Sequence, residues 1–484
     1  MTLIAKNWIN GEWIDSDVHK NSINPATYEV IGQYADATQA DAASAITAAK
    51  NAFKHTDWKD NRSLRSKVLH ELANSFEKYT PELVELLSTE NGKVKAEANF
   101  EVSMVPSKLR YYASLTMTEY GRALEPKPGS FSISLRQAMG VAGIIVPWNS
   151  PVVLLIRSLA PALAAGATAV VKLSGQTAQT NHLIAKVISE VTSLPKGVIN
   201  IFSESGGSGS KLLIASPDVP VISFTGSTAT GRAISATGAQ FLKRFGLELG
   251  GKTPMIVFND ADLETVVPKL EKALTVFAGQ FCMTGSRLLV QRDIAETLKA
   301  KLAARLQSIK VGPASDEDSD MGPLIDKPNV ERVNKIVEKA IAEGSKVIVR
   351  GGPITKGELA KGAFYRPTLL EVTDNSLEII QKETFGPVLT LQIFDTEAEA
   401  IALANDNEYG LAASVWSRDV DRPLRIAREI DAGTIWINDW AVVYDEFEEG
   451  GFKQSGLGRL NGVAAMDDFI EYKHITISSG VVNL

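Results

Sequence analysis

"GVAGIIVPWNSPVVLLIRSLAPALAAGATAVVKLSG", residues 140–175, decides the architecture. It opens on an apolar run closed by Pro147 and Asn149. An apolar helical segment follows, then Gly166, then the β-branched run "TAVVKLS". Short apolar runs bounded by turn residues and separated by helix are buried strands of a βαβ unit. The part from Val152 to Val171 is long and apolar enough to suggest a membrane span. Arg157, Pro161 and Gly166 interrupt it. A buried helix running into a buried strand is the better reading.

The alternation continues on the C-terminal side. A helix is expected from about Asn181, then a strand in "GVINIFS" (197–203), a helix, a strand in "VPVISFTGS" (219–227) and another helix. Such alternation makes a parallel sheet of the α/β class. Ligands of these sheets sit at the carboxyl ends of the strands. That singles out Pro147–Ser150, Lys172–Gly175, Ser203–Gly209 and Thr225–Thr228. A second α/β section starts near Gly251, with strand patterns in "TPMIVF", "SRLLVQ", "FGPVLTLQIF" and "GTIWI". Upstream, "NWINGEWI" (7–14) is a strand pair. Thr38 and Asp41 start a helix whose Ile46, Ala49 and Phe53 share a face. The helical stretch 63–93 is interrupted near Pro81. The alternating segments "SFSISLRQ" (130–137) and "HITISSGVVNL" (474–484) have little to pack on locally, so their edges join another chain or a distant sheet.

At 484 residues the chain is too long for one core. A net charge of −7 leaves no electrostatic footprint for nucleic acid. The N-terminus has no basic region followed by an apolar one, so no secretion signal is read. One cysteine, Cys282, and five scattered histidines exclude an internal disulfide and a structural zinc site. No metal and no membrane partner are expected, and a reducing cytoplasm suits a lone thiol.

"GLELGGKT" (246–253) fits the phosphate loop of ATPases letter for letter. That mechanism needs a helix directly after Lys-Thr. Pro254 and "MIVF" give a strand instead, so a P-loop is set aside. "SFTGSTATGR" places Ser227 at a helix start, an anion site or an ordinary N-cap. "SESGGSG" one βα unit earlier makes a dinucleotide plausible, although the strict G-x-G-x-x-G pattern is absent. Lys172 closes a buried strand and either snorkels to solvent or meets a ribose or phosphate. Asn149 either makes a turn or aims its amide at an oxyanion. Glu248 is either a paired structural carboxylate or a base with a raised pKa. Cys282 taken alone is more often inert core.

Together the blocks "INGEWID", "NPATYEVIG", "PWNSP", "VVKLS", "FTGST", "LELGGK", "GQFC", "ETFGPV" and "GFKQSGLGR" resemble the aldehyde dehydrogenase superfamily, in order and spacing, across nearly the whole chain. The resemblance implies oxidation of an aldehyde to the acid with NAD or NADP. Cys282 is then the nucleophile, Asn149 and the Cys282 N–H the oxyanion donors, and Glu248 the base that activates water. Lys172, Ser174 and Gly175 lie at the adenosine ribose, with Phe224, Gly226 and Ser227 at the pyrophosphate turn. Leu249, Glu383, Trp148 and Phe385 complete the cofactor contacts. The presence of Glu248 argues for hydrolysis rather than acyl transfer to coenzyme A. The implied fold is a Rossmann-like cofactor domain (1–118 and 139–250), an α/β catalytic domain (251–450) and a small oligomerisation sheet (119–138 and 466–484). Those strands imply a homodimer or homotetramer.

Departures from the family pattern carry their own expectations. Gly175 stands where many NAD-preferring members have Glu. Loss of that carboxylate predicts use of NADP, alone or beside NAD. Glu204 replaces a glycine of the family's G-x-G turn. Ser150 follows the catalytic Asn where an aromatic residue is common, widening the mouth beside Leu154. Arg157 suits an anionic semialdehyde, whereas Glu449 suits an amino or betaine aldehyde. The two could equally pair with each other. Phe281 and Met283 flank the thiol, and a bulky apolar or aromatic aldehyde is slightly favoured.

Overall fold

The computed structural model describes residues 4–481, so the last three residues of the predicted C-terminal strand segment lie outside it. Two large sheets, of eight and seven strands, organise the chain, with two three-stranded and two two-stranded sheets beside them among the described residues. In the first, five parallel strands run in the spatial order Arg244–Glu248, Val221–Thr225, Val141–Ile145, Thr168–Ser174, Ile199–Glu204. The hairpin Asn7–Ile9 and Glu12–Ile14 extends one edge antiparallel, and Gly456–Leu457 extends the other. The strand order reverses between Val141–Ile145 and Val221–Thr225. Their connections leave in opposite directions there and open a crevice at the carboxyl ends, where ligands of doubly wound sheets bind.

Residues 140–175 fold as expected. Helix Pro151–Ala165 is buried almost throughout and ends at Gly166, whose φ of 97° is left-handed. Strand Thr168–Ser174 follows. No helix among the described residues is long and apolar enough to cross a membrane. Thr38 and Asp41 form a capping box on Gln39–His55. The helical stretch 63–93 divides at Tyr79 into Arg62–Lys78 and Thr80–Glu90, with Pro81 in the first turn of the second, where its missing N–H is harmless. The helix expected from Asn181 begins earlier, at Ala178.

The second sheet has seven strands in the order Lys346–Val349, Thr368–Glu371, Val388–Phe394, Gly285–Gln291, Thr253–Val257, Ala412–Trp416, Thr434–Ile437. All neighbouring pairs are parallel except the first. No helix follows Lys252-Thr253: the strand Thr253–Val257 starts there, which removes the phosphate-loop geometry. The C-terminal strand Ile470–Ser478 pairs antiparallel with Ser130–Ala138, and Arg122–Lys127 completes a three-stranded sheet. Its distant partner is therefore within the same chain. Phe131, Leu135, Ile475 and Ile477 remain exposed on it.

Candidate active site

Glu248 ends the last parallel strand of the first sheet, and Thr253 begins the second sheet. The four residues between them cross from one sheet to the other. Cys282 lies just before strand Gly285–Gln291. The crossing and the cysteine loop are in contact. A Cβ on Gly251 would stand 2.5 Å from the Cys282 carbonyl oxygen, so only glycine fits.

The turn before the thiol is strained. Phe277, Ala278 and Gly279 take φ of 51°, 54° and 73° in succession, and non-glycine residues hold such values only where surroundings impose them. Here the buried Glu97 carboxylate accepts from the Phe277 N–H at 3.2 Å. Gln280 ties the turn from the other side. Its amide donates to the Phe277 carbonyl at 3.0 Å, and its oxygen accepts from the Ile325 N–H at 2.9 Å. The Asn149 amide donates to the Gln280 carbonyl at 3.0 Å. That bond brings the switch-point loop of the first sheet against the cysteine loop. It uses one of the two N–H groups of the Asn149 amide.

The electrostatics separate the groups. Burial pushes the Cys282 thiol up to about 12, with Arg157 pulling the other way. Burial raises Glu248 to about 8, again against Arg157. Glu248 Oε1 is buried without a partner, so it is free to accept a proton. A carboxylate titrating near neutrality is matched to general-base work.

Arg157 and Glu449, the two mouth residues of opposite sign, pair. Arg157 Nη1 is 3.3 Å from Glu449 Oε2, and both side chains are buried. Asn461 donates to the same oxygen at 2.8 Å. Arg157 Nε and Nη2 keep no partner. Ser150 does not simply widen the mouth, because its hydroxyl accepts from the buried Lys93 ammonium at 3.0 Å. Lys93 in turn pairs with Glu101, whose other oxygen caps helix Pro151–Ala165 through the Val152 N–H at 2.9 Å. Leu154 and Met283 are core residues, 8% and 2% exposed. Phe281 is half-buried, edge-on to Phe277 and Trp440 with ring centroids 5.7 and 6.0 Å apart.

The crevice suits a dinucleotide. Gly226 leaves room only for itself, since a Cβ there would strike the Phe224 ring at 2.4 Å. Ser227 N-caps helix Thr228–Gly238, accepting from the Thr230 N–H at 3.3 Å. Phe224 and Leu249 are buried at the base of this region. Trp148 and Phe385 meet edge-on at 5.7 Å, and the Asn91 amide fixes the Trp148 carbonyl at 2.8 Å. Glu383 turns toward the crossing and accepts from the Gly251 N–H at 3.2 Å. Burial raises it to about 7. Arg332 holds the next two carbonyls, Thr384 at 2.7 Å and Phe385 at 3.2 Å. Lys172 and Ser174 are half-buried at the end of their strand.

Sequence reasoning missed Glu97, Gln280, Arg332, Trp440 and Asn461. Each acts through contacts far along the chain. Gly279 was the one local sign of the strained turn.

Comparisons with known proteins agree with this geometry. The model of the aldehyde dehydrogenase family matches residues 13–475. A betaine aldehyde dehydrogenase of Bacillus subtilis (strain 168) is 38% identical over 472 residues, 97% of this chain and 96% of the relative. A solved betaine aldehyde dehydrogenase of Staphylococcus aureus in complex with NAD+ superposes with a TM-score of 0.96 at 34% identity, covering 99% of this chain and 96% of that one. An apo point mutant of the same Staphylococcus aureus enzyme matches with the same score, identity and coverage.

Proposed function

The chain belongs to the aldehyde dehydrogenase family and is an NAD(P)-dependent aldehyde-oxidising enzyme, and we propose on that premise that its preferred substrate is a bulky apolar or aromatic aldehyde. The observation that carries this is the neighbourhood of Cys282. Phe281, Phe277 and Trp440 form an aromatic series beside the thiol. Glu449, an acidic group that would draw a cation into the mouth, is already paired with Arg157. The free Nε and Nη2 of Arg157 offer donors to an oxygen substituent on an aromatic ring.

Glu248 takes the proton of the Cys282 thiol, directly or through water, because the thiol alone is far too weak an acid at neutral pH. The thiolate adds to the aldehyde carbon. The Asn149 amide and the Cys282 N–H stabilise the resulting oxyanion. Lys172, Ser227, Glu383, Trp148 and Phe385 would hold the dinucleotide, whose nicotinamide supplies the hydride acceptor when bound. Glu248, once it has passed the thiol proton to solvent, deprotonates the water that hydrolyses the thioester left on Cys282.

A second reading is a betaine-type cationic aldehyde. The relatives bear that name, and aromatic rings near a carboxylate suit a quaternary ammonium. Initial rates with benzaldehyde, hydroxybenzaldehydes, a long aliphatic aldehyde, a semialdehyde and betaine aldehyde decide between them. The proposal requires kcat/KM for the aromatic aldehydes to exceed that for betaine aldehyde by about tenfold or more. A preference for betaine aldehyde would overturn it.

We also assign the chain to three units: a cofactor unit (1–118 and 139–250), a catalytic unit (251–450), and an oligomerisation sheet (119–138 and 466–484). The exposed apolar side chains of the small sheet support assembly into a homodimer or homotetramer through it.

A further inference from the structure

The absence of a carboxylate three residues after Lys172, at Gly175, leaves an opening by sequence. The structure fills that space with a phenol. A Cβ on Gly175 would lie 2.3 Å from Tyr34 Oη and 2.9 Å from Cζ. Tyr34 is itself buried and has no room to retreat. No side chain of any charge can start from position 175 without displacing it.

Negative charge comes instead from the neighbouring strand. Glu204 ends Ile199–Glu204 and stands in parallel register opposite Ser174. The residue is 2% exposed. It turns onto the amino end of helix Ser208–Ala215, where Oε2 accepts from the Gly209 N–H at 2.8 Å and Oε1 from the Ser210 N–H at 3.0 Å. Asp36 takes up the intervening loop, accepting from the Ser205 N–H and hydroxyl at 2.7 Å each. Lys20 pairs with Asp36 at 3.5 Å. Burial lowers the pKa of Lys172, and Glu204 and then Asp36 are the carboxylates that act against that.

A phosphate on the 2′ oxygen of an adenosine ribose is recognised by ammonium groups, hydroxyls and the N–H groups of a helix start. In this subsite the helix start is already occupied by a carboxylate of the chain. The Ser205 hydroxyl is committed to another. A dianion arriving there would find the Gly209 and Ser210 N–H groups already bonded and would face the Glu204 carboxylate that holds them.

We infer that Glu204 is a specificity-determining residue of the adenosine-ribose subsite: by plugging the amino end of Ser208–Ala215 it excludes a 2′-phosphate, so the enzyme selects NAD over NADP. This rests on the family's cofactor lying along Lys172. It reverses the expectation drawn from Gly175, because the charge missing at that position is supplied from the next strand.

Binding, rather than turnover, tests it. Dissociation constants of NAD+ and NADP+ are measured by calorimetry on the protein without substrate, for the wild type and Glu204→Gln. The amide keeps an acceptor for the helix N–H groups and loses the charge. The wild type should bind NAD+ more tightly by on the order of tenfold to a hundredfold, and Glu204→Gln should shrink that ratio by about tenfold. A ratio is insensitive to general loosening of the fold. Should the variant not fold, the wild type still answers through competition against NAD+. ADP should compete better than 2′,5′-ADP. Equal wild-type affinities, an unchanged ratio in the variant, or better competition by 2′,5′-ADP overturns the inference. A wild type that binds neither dinucleotide overturns instead the placement of the cofactor along Lys172.

Discussion

Glu248 titrates near pH 8 because it is buried, with Arg157 nearby reducing the shift. If its ionised form is the working base, kcat must follow its titration. With a pKa of about 8, the ionised fraction is about one-eleventh at pH 7 and about ten-elevenths at pH 9. The expected rise in kcat is therefore about tenfold across those two pH units. The assay is the initial rate of reduced-nicotinamide absorbance at saturating aldehyde and cofactor, at constant ionic strength. Glu248→Gln removes the titration while keeping the size of the side chain. Its kcat should fall by about 10²- to 10⁴-fold, and the limb between pH 7 and 9 should flatten. Arg157→Leu adds a directional check. It deletes the charge that pulls the Glu248 pKa down, so the midpoint of the profile should move to higher pH. A wild-type kcat that is level from pH 7 to 9, or a Glu248→Gln variant that keeps the rising limb, would refute the assignment of Glu248 as base.

Three further outcomes are expected. Gly251→Ala drives a methyl group to within 2.5 Å of the Cys282 carbonyl; kcat/KM should drop by on the order of 10²-fold while the thermal midpoint moves only a few degrees, and unchanged kinetics would contradict the close approach. Arg157→Leu leaves the buried Glu449 without its ion-pair partner and should destabilise the protein by about 3 kcal/mol; Arg157→Leu with Glu449→Leu should recover most of that in denaturant melts, and a double variant no more stable than the single would show that the pair is not the cause. Ile475→Asp puts a charge on the exposed apolar strand opposite Ile133; sedimentation should show a smaller assembly than the wild type, and an unaltered distribution would move the interface elsewhere.

Local pattern made much of the fold legible. The runs at 141–145, 168–174, 199–204 and 221–225 are apolar enough to be strands wherever they are placed, and Gly166 ends the helix between two of them because only glycine takes its φ of 97° cheaply. Pro254 and the apolar run "MIVF" after it are enough to exclude the phosphate loop, since they favour a strand. The start of helix Ala178–Ser189 was misplaced because a short 3-10 turn at Gly175–Thr177 carries the chain into it.

The sequence by itself determined the α/β alternation, the residues able to do the chemistry, and, through motif order, the family. Those features depend on near neighbours along the chain: strand pattern, turn residues and the spacing of short blocks. Only the tertiary structure decided what those residues are free to do. Whether Arg157 answers an anion or Glu449 a cation could not be read from composition, because each neutralises the other across 292 positions of chain. Glycine at 175 looks like missing charge until Tyr34 is found against it and Glu204 beside it. The Cys282 thiol gains its environment from Glu97, Asn149 and Gly251, which reach its loop from three separate elements. Burial, ion pairing and steric exclusion are properties of groups brought together in space, and they set the pKa values and the shape of the pocket.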